Sequence, residues 1–175
     1  MSFFAIQVIS GREAIYKELF FRHRADITLH HIVKTTSSRK RGKPVKIQSS
    51  LFPGYLFFQY HDETLSPELV QAIRKTKYFL RILPSTDNIQ PLCQRDAEII
   101  RHFISFRNEI GNSRVVFDEN NKIRVIDGPL AGYEGNIVKV NKRKRRATIQ
   151  LDICNSQMTI VLGFEILETV ETAKA

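Results

Sequence analysis

The chain has 175 residues, and 27 Lys and Arg against 18 Asp and Glu leave a formal charge of +9 and an isoelectric point near 9.8. That balance favours a polyanionic partner, while 42% hydrophobic and 26% charged residues exclude a disordered or collagen-like chain. The length suits one ordinary domain, or one of about 100 residues followed by a small barrel of roughly 50 to 60.

Residues 3 to 9, FFAIQVI, are dense in aromatic and β-branched side chains and end at Ser10-Gly11, which predicts a buried first strand. A helix follows, with Ser10 as N-cap, Glu13 at capping-box spacing, and Ile15, Leu19 and Phe20 on its inner face. No acidic residue falls between Asp26 and Asp62. In that window Ile27 to Val33 reads as a strand, Thr35 to Pro44 as a basic turn holding Arg39, Lys40, Arg41 and Lys43, and Val45 to Leu51 as the returning arm. The segment LFPGYLFFQY, 51 to 60, bends at Pro53-Gly54 and is too apolar for a wet face, which predicts a central strand.

Ser66 and Pro67 begin a second helix that runs to about Lys75, with Leu69, Val70 and Ile73 inward. Lys77 to Leu83 is the next strand, and Ile99, Ile100, Phe103 and Ile104 mark a third helix between Cys93 and about Phe106. The order β-α-β-β-α-β-α implies a layered domain with a largely antiparallel sheet. Residues 107 to 120 lack strong periodicity and read as a linker. Beyond Lys122 the pattern is short strands alone: IRVI, NIVKV, TIQLDI, MTIVLGF and EILETV, separated by DGPLAGYEG, NKRKRRA and an Asn155-Ser156 turn, which describes a small β-barrel. The fold class is therefore α+β.

No GxGxxG, Walker, GxSxG, HExxH or EF-hand pattern occurs, so an enzyme and a bound cofactor are not expected. His30 and His31, adjacent in a strand, would point to opposite faces, and with His23 they lack metal-ligand spacing, so no metal site is expected. Cys93 and Cys154 fit neither a disulfide-stapled secreted fold nor a zinc ribbon, and no run approaches the roughly 18 apolar residues of a membrane span. A soluble cytoplasmic protein without membrane attachment is expected. Two basic turns are the strongest binding signal: Arg39-Lys40-Arg41-Gly42-Lys43 and Lys142-Arg143-Lys144-Arg145-Arg146. Consecutive cations at a hairpin tip repel one another and are neutralised by solvent or by a polyanion, here nucleic acid. Gly128, Gly132 and Gly135 are read as turn glycines that supply positive φ or close backbone approach.

The aromatic first strand with Ser10-Gly11, LFPGYLFF at 51 to 58 and IRVIDGPLAGYEGNIVKV at 123 to 140 occur in the order seen in the NusG family of transcription elongation factors, which the chain resembles. The last piece is similar to the family's KOW motif, through Val125, Asp127-Gly128-Pro129, Gly132 and Gly135. The resemblance implies an NGN domain at 1–107, a linker at 108–120, and an SH3-like KOW barrel at 121–170. It also implies a monomer that binds the clamp helices of the largest RNA polymerase subunit, with Phe52 and Tyr55 as the docking aromatics; the residues alone leave open that either ring fills the sheet core instead, since large apolar side chains in strands are usually buried. Relatives set the turn that matches Lys75, Thr76 and Lys77 against the nontemplate DNA strand, and they usually carry glycine at the position of Tyr78, where a tyrosine could stack on an unpaired base.

The five-cation turn NKRKRRA resembles the LoaP branch of the family, which recognises an RNA hairpin and carries polymerase through terminators. A housekeeping NusG would instead use the barrel to hold Rho or a ribosomal protein. A KOW-containing ribosomal or RNA-chaperone protein is a third reading, disfavoured by the PGY segment. The β-rich, Gly-containing C-terminal part implies a stable barrel rather than the helical alternative of RfaH.

Overall fold

A computed structural model describes residues 1–107 and 109–167, with the backbone alone for Ser38, Arg39 and Lys40. In chain order the first elements are β1 (Ser2–Val8), α1 (Glu13–Phe21), β2 (Val33–Lys40), β3 (Lys43–Ser50), β4 (Tyr55–Tyr60), α2 (Pro67–Lys75), β5 (Phe79–Ile82), β6 (Pro84–Ser85), β7 (Asn88–Ile89), α3 (Gln94–Ile104) and β8 (Glu109–Ile110). They are followed by β9 (Ser113–Phe117), β10 (Ile123–Asp127), a 3-10 turn (Glu134–Asn136), β11 (Ile137–Asn141), β12 (Arg146–Ile153) and β13 (Ser156–Ile166). The contacts divide into two compact units. The first holds Met1–Lys34, Gln48–Ile110 and Ile153–Ser156; the second holds Thr35–Ile47, Gly111–Asp152 and the chain from Gln157 onward.

In the first unit β1 is the middle strand of the sheet β4-β1-β5 and is antiparallel to both neighbours. Its side chains alternate between two cores. Phe4, Ile6 and Val8 join Leu56 and Phe58 beneath Tyr16 and Phe20 of α1 and Leu69 and Ile73 of α2. On the opposite face Ala5 pairs with Phe57, whose ring meets Phe52 edge-on at 5.6 Å, and Phe52 meets Phe103 of α3 at 5.7 Å. Burying several rings on each face of one short strand removes enough apolar surface from water to fix the register.

The sequence pattern misplaced β4, which is an edge of that ladder and not its centre. Its apolar run reflects cover on both faces, and its outer edge is bridged by His30, whose N–H donates to the Phe57 carbonyl at 2.7 Å. Residues 27 to 32 bury Ile27, Leu29 and Ile32, but apart from this bridge they form no ladder, so β2 begins only at Val33. The expected ten-residue basic turn shrinks to Arg41-Gly42, both with positive φ (51° and 79°), the two-residue geometry that matches strand twist.

Helix α1 departs from expectation at its start. Arg12 is the N-cap and no side chain caps it. Glu13 turns inward, is 2% exposed, and accepts the Gly54 N–H at 2.6 Å, so the residue read as half of a capping box ties the helix to the PGY bend. The buried face is Glu13, Tyr16 and Phe20, with Ile15 exposed, because the Tyr16 hydroxyl donates to the Ile73 carbonyl at 2.8 Å. Helix α2 starts as its sequence predicts, with the Ser66 hydroxyl accepting the Leu69 N–H at 3.3 Å and Pro67 in the first turn.

The stretch expected as a linker, 108–120, carries β8 and β9. Asn108 lies outside the described residues, as do 168 to 170 of the expected last strand. In β9 Ser113 and Val115 are buried while Arg114 is exposed, a short alternation that the flanking Gly and Asn residues masked. The second unit is the sheet β10-β9-β13-β12-β11, in which β9 runs parallel to β13. Its core includes Val115, Leu130, Ala147, Ile149, Leu151, Ile160, Leu162 and Phe164.

Of the three motif glycines only Gly128 is sterically obligatory. Its φ is 97°, and a Cβ would fall 2.6 Å from Cα of Ser113. The buried Ser113 hydroxyl accepts the Leu130 N–H at 2.9 Å, which seats the loop against β9. Gly132 supplies a positive φ, whereas Gly135 lies in the 3-10 turn with open space around it and needs neither freedom. Asp127 serves another purpose: its carboxylate accepts the guanidinium of Arg114 across the β9–β10 pair.

Gly128→Ala should destabilise the protein by about 2 to 4 kcal/mol through left-handed strain and the clash with Ser113, read as a lower denaturant midpoint; an unchanged midpoint would show that the loop relaxes freely. Burial pushes the Glu13 carboxyl up, but hydrogen bonds from the N–H groups of Gly54, Glu13 and Gly11, with His31 nearby, outweigh it and hold the group below its ordinary 4.5. A depressed carboxyl stabilises the fold above its unfolded value and loses that contribution as pH falls through the folded one. Glu13→Gln should therefore lower the Tm at pH 7, and the gap from the parent protein should close as pH falls below 4.5; a gap that stays constant with pH would contradict the charged contact.

Candidate nucleic-acid interface

Strands β11 and β12 are in register at Asn141 and Arg146, so Lys142 to Arg145 form the loop between them. The Asn141 side-chain oxygen accepts the Lys144 N–H at 2.9 Å, the Lys142 carbonyl accepts the Arg145 N–H at 3.1 Å, and Arg145 takes φ 51°. Phe164 then donates its N–H to the Arg145 carbonyl at 3.0 Å and fastens the loop to β13. The outer cations are engaged. Lys142 Nζ lies 3.9 Å from the centre of the Phe117 ring and donates to Asn121 at 2.5 Å, while the Arg146 guanidinium donates to the Ser37 carbonyl at 3.3 Å. Arg143, Lys144 and Arg145 are exposed. Lys142 is exposed as well, and a pinned backbone that carries four exposed cations costs little ordering when a phosphate docks.

The hairpin of β2 and β3 presents Arg41, Lys43 and Lys46 to solvent. The side chains of Arg39 and Lys40, named with them from sequence, lie outside those described.

The turn between α2 and β5 divides the three residues expected there. Lys75 and Lys77 are exposed, but Thr76 is buried and its hydroxyl donates to the Ala72 carbonyl at 2.9 Å, so it cannot offer that proton to a base. This corrects its assignment to direct contact; Thr76 shapes the turn. Tyr78 has φ 77°, a conformation suited to the glycine expected in relatives, and its carbonyl accepts the Ile9 N–H at 2.9 Å. Lys77 Nζ and Arg12 Cζ lie 5.1 and 5.5 Å from the centre of its ring. Arg12 was missed in the sequence; the Ser-Gly turn before it was the only signal that it would leave the helix axis. Leu19 and Ala72 line an apolar hollow of about 420 Å³ on the same unit, rimmed by His23, Lys75 and Lys77.

Phe52 and Tyr55 are not the exposed aromatics that the PGY bend suggested. They are 1% and 8% exposed, Phe52 between Phe57 and Phe103 and Tyr55 stacked with Phe57 at 6.5 Å. Large apolar groups beside a strand complete the core when a helix covers that face, as α3 does here. Beyond Met1, the large exposed apolar side chains among the described residues of this unit are Ile9, Ile15, Phe21 and Leu80. Among the described residues no group of three His, Cys, Asp or Glu could hold a metal ion, and no helix is long and apolar enough to cross a membrane. His31 Nε2 lies 2.6 Å from the Ser50 hydroxyl, a contact within the fold.

Residues 1–101 match the family model described as transcription termination factor nusG, and residues 119–152 match the KOW motif. The transcription termination/antitermination protein NusG of Thermus thermophilus is 26% identical over 133 residues, covering 72% of this chain and 71% of its own. That of Pseudomonas aeruginosa is 25% identical over 162 residues, covering 93% and 85%. The solved structure of Thermotoga maritima NusG aligns over 93% of each chain with a TM-score of 0.60 at 18% identity, a likeness of fold. With its N-terminal 101 residues matched by the family model and the KOW motif behind them, this chain belongs to the NusG family of transcription termination and antitermination factors.

Proposed function

We propose that this chain is a specialised, LoaP-like antiterminator: it binds transcribing RNA polymerase through its first unit and holds an RNA stem with the Lys142–Arg146 turn. It acts by binding and not by catalysis, in the cytoplasm where polymerase works. The observation that carries the reading is the tip itself, where Lys142 to Arg145 are exposed while Lys142 also rests on Phe117 and Arg146 is half-buried against Ser37. A fixed, narrow, cationic loop suits the phosphate-lined deep groove of an A-form stem, where shape and charge decide binding more than base edges do. Polymerase contact falls to the exposed surface around the PGY bend, with Phe52 and Tyr55 supporting it from within.

A second reading has its own observation. Ile126, Val138, Val140 and Ile166 are exposed apolar residues of the second unit, as a barrel that holds Rho or a ribosomal protein would require. The two readings separate on RNA.

Arg143→Gln, Lys144→Gln and Arg145→Asn together keep the left-handed backbone at position 145 supplied with a tolerant residue. The triple variant should bind a structured leader RNA at least about tenfold more weakly, lower the slope of log affinity against log salt by about 2 to 3, and reduce terminator read-through at equal polymerase binding. Unchanged RNA affinity and slope would hand the barrel to the protein-partner reading.

The Tyr78 surface is proposed to meet the nontemplate strand, with the ring stacking on a base and Arg12, Lys75 and Lys77 on phosphates. Tyr78→Gly relieves a strained φ that offsets lost packing, so stability should move by less than about 1 kcal/mol. Affinity for single-stranded DNA should fall by about 1 to 3 kcal/mol, one stacked base. Titration of labelled single strands beside a melting curve reads both, and a loss of stability without a loss of affinity would make Tyr78 a packing residue.

A further inference from the structure

Two cationic segments about a hundred positions apart in sequence belong to the same compact unit. Residues 35 to 47 carry Arg39, Lys40, Arg41, Lys43 and Lys46 without one acidic residue, residues 141 to 147 carry five more cations, and both fall in the second unit. They are joined directly, since the Arg146 guanidinium donates to the Ser37 carbonyl at 3.3 Å. Thr36 and Ser37 line, with Lys144, Arg145 and Arg146, a polar hollow of about 230 Å³. Glu165 also lines it, and its carboxylate accepts the Asn112 amide at 3.3 Å.

Like charges gathered this way repel one another, and at physiological ionic strength screening weakens that repulsion only beyond about 8 Å. Fixing the hairpin stem to the cationic turn therefore costs electrostatic energy in the free protein, which a polyanion spanning both segments recovers on binding. The hollow between the two segments adds the Ser37 hydroxyl to the guanidinium of Arg145, a mixture of donors that phosphate oxygens accept, while the Thr36 hydroxyl donates to the Ile47 carbonyl at 3.4 Å within the hairpin.

We infer that the 35–47 hairpin tip and the Lys142–Arg146 turn form one phosphate-binding face that grips a single RNA stem, the hairpin supplying Arg41, Lys43 and Lys46 as the second half of the contact. This rests on the RNA reading above and adds the other half of its site. A stem offers two phosphate strands along one cylinder, so two cationic loops fixed to each other engage it without a second ligand.

The test uses the full chain, a labelled stem-loop RNA from the leader of its own gene, and a same-length DNA duplex. Arg41→Asn, Lys43→Gln and Lys46→Gln leave the Arg146–Ser37 contact intact and keep an αL-tolerant residue at position 41. Expected are an unchanged melting temperature, one RNA per chain, a loss of RNA affinity of about tenfold or more, and a log-log salt slope lower by about 2 to 3. If this variant binds RNA as the parent does while the Arg143, Lys144 and Arg145 variant is weakened, the shared face is wrong and the RNA reading survives. If neither variant is weakened, the RNA reading falls and takes the shared face with it. Two RNAs bound per chain, or a loss confined to the DNA duplex, overturns the inference.

Discussion

Strand β1 cannot be moved without dismantling the first unit, because it has no exposed face to give up. Its N-terminal rings divide between a core under α1 and α2 and a core under α3, and both ladder edges are taken, by β4 and by β5. The bend at Pro53-Gly54 is held to its C-terminal end by the Val8 N–H on the Gly54 carbonyl at 2.8 Å, while Glu13 takes the Gly54 N–H. Both polar groups of one glycine peptide are thus satisfied from opposite directions, one by a strand and one by a helix. The position of that bend therefore follows from one strand amide and one buried carboxylate, and the surface beside it inherits the same rigidity.

Much of this was legible in the residues because local and global signals agree. Ser66-Pro67 marks a helix start, Ile99, Ile100 and Phe103 mark a helix face, and the alternation of TIQLDI marks a half-buried strand, each reproduced by the structure. The failures share a cause. Glu13 has capping-box spacing, yet a buried N–H 41 positions away competes for it more strongly than the helix end does. Phe52 and Tyr55 stand beside a bend, where exposure is common, yet the partner ring Phe103 arrives from a helix 50 residues later. β9 pairs with its neighbour β10 on one edge, but its other edge is taken by β13, which no window of neighbouring residues contains, and the flanking Gly and Asn residues read as linker. Local pattern reports what a segment prefers, and these three positions are decided by what reaches them from afar.

The same distinction sorts the basic residues. A count treats Lys142 to Arg146 as five equal charges, but geometry leaves Lys142 to Arg145 exposed, seats the Lys142 amine against Phe117 and Asn121, and half-buries Arg146 against Ser37. Thr76 and its flanking lysines are neighbours in sequence with opposite fates, the hydroxyl turned into the helix end and the amines into solvent. Tyr78 keeps a backbone conformation better suited to glycine, and its ring lies within reach of two cations. A side chain retained at a strained position has gained something that a glycine would not supply.

The parallel pairing of β9 with β13 also has a temporal meaning. Ser113 lies opposite Phe164, so β9, which pairs with β10 on one edge, fills its other edge only when β13 has been made some fifty residues later. During synthesis β9 leaves the ribosome well before the strand that will cover its edge, and Ser113 and Val115 stay uncovered through that interval. Closing the sheet is then a single late event spanning some fifty residues, whose cost in chain entropy grows only slowly with that span. A nascent chain stalled short of β13 has all the basic residues of the turn but not the Phe164 amide that fixes it. The bonds within the tip can form as its residues emerge, but its anchor to the sheet forms only once β13 has been made.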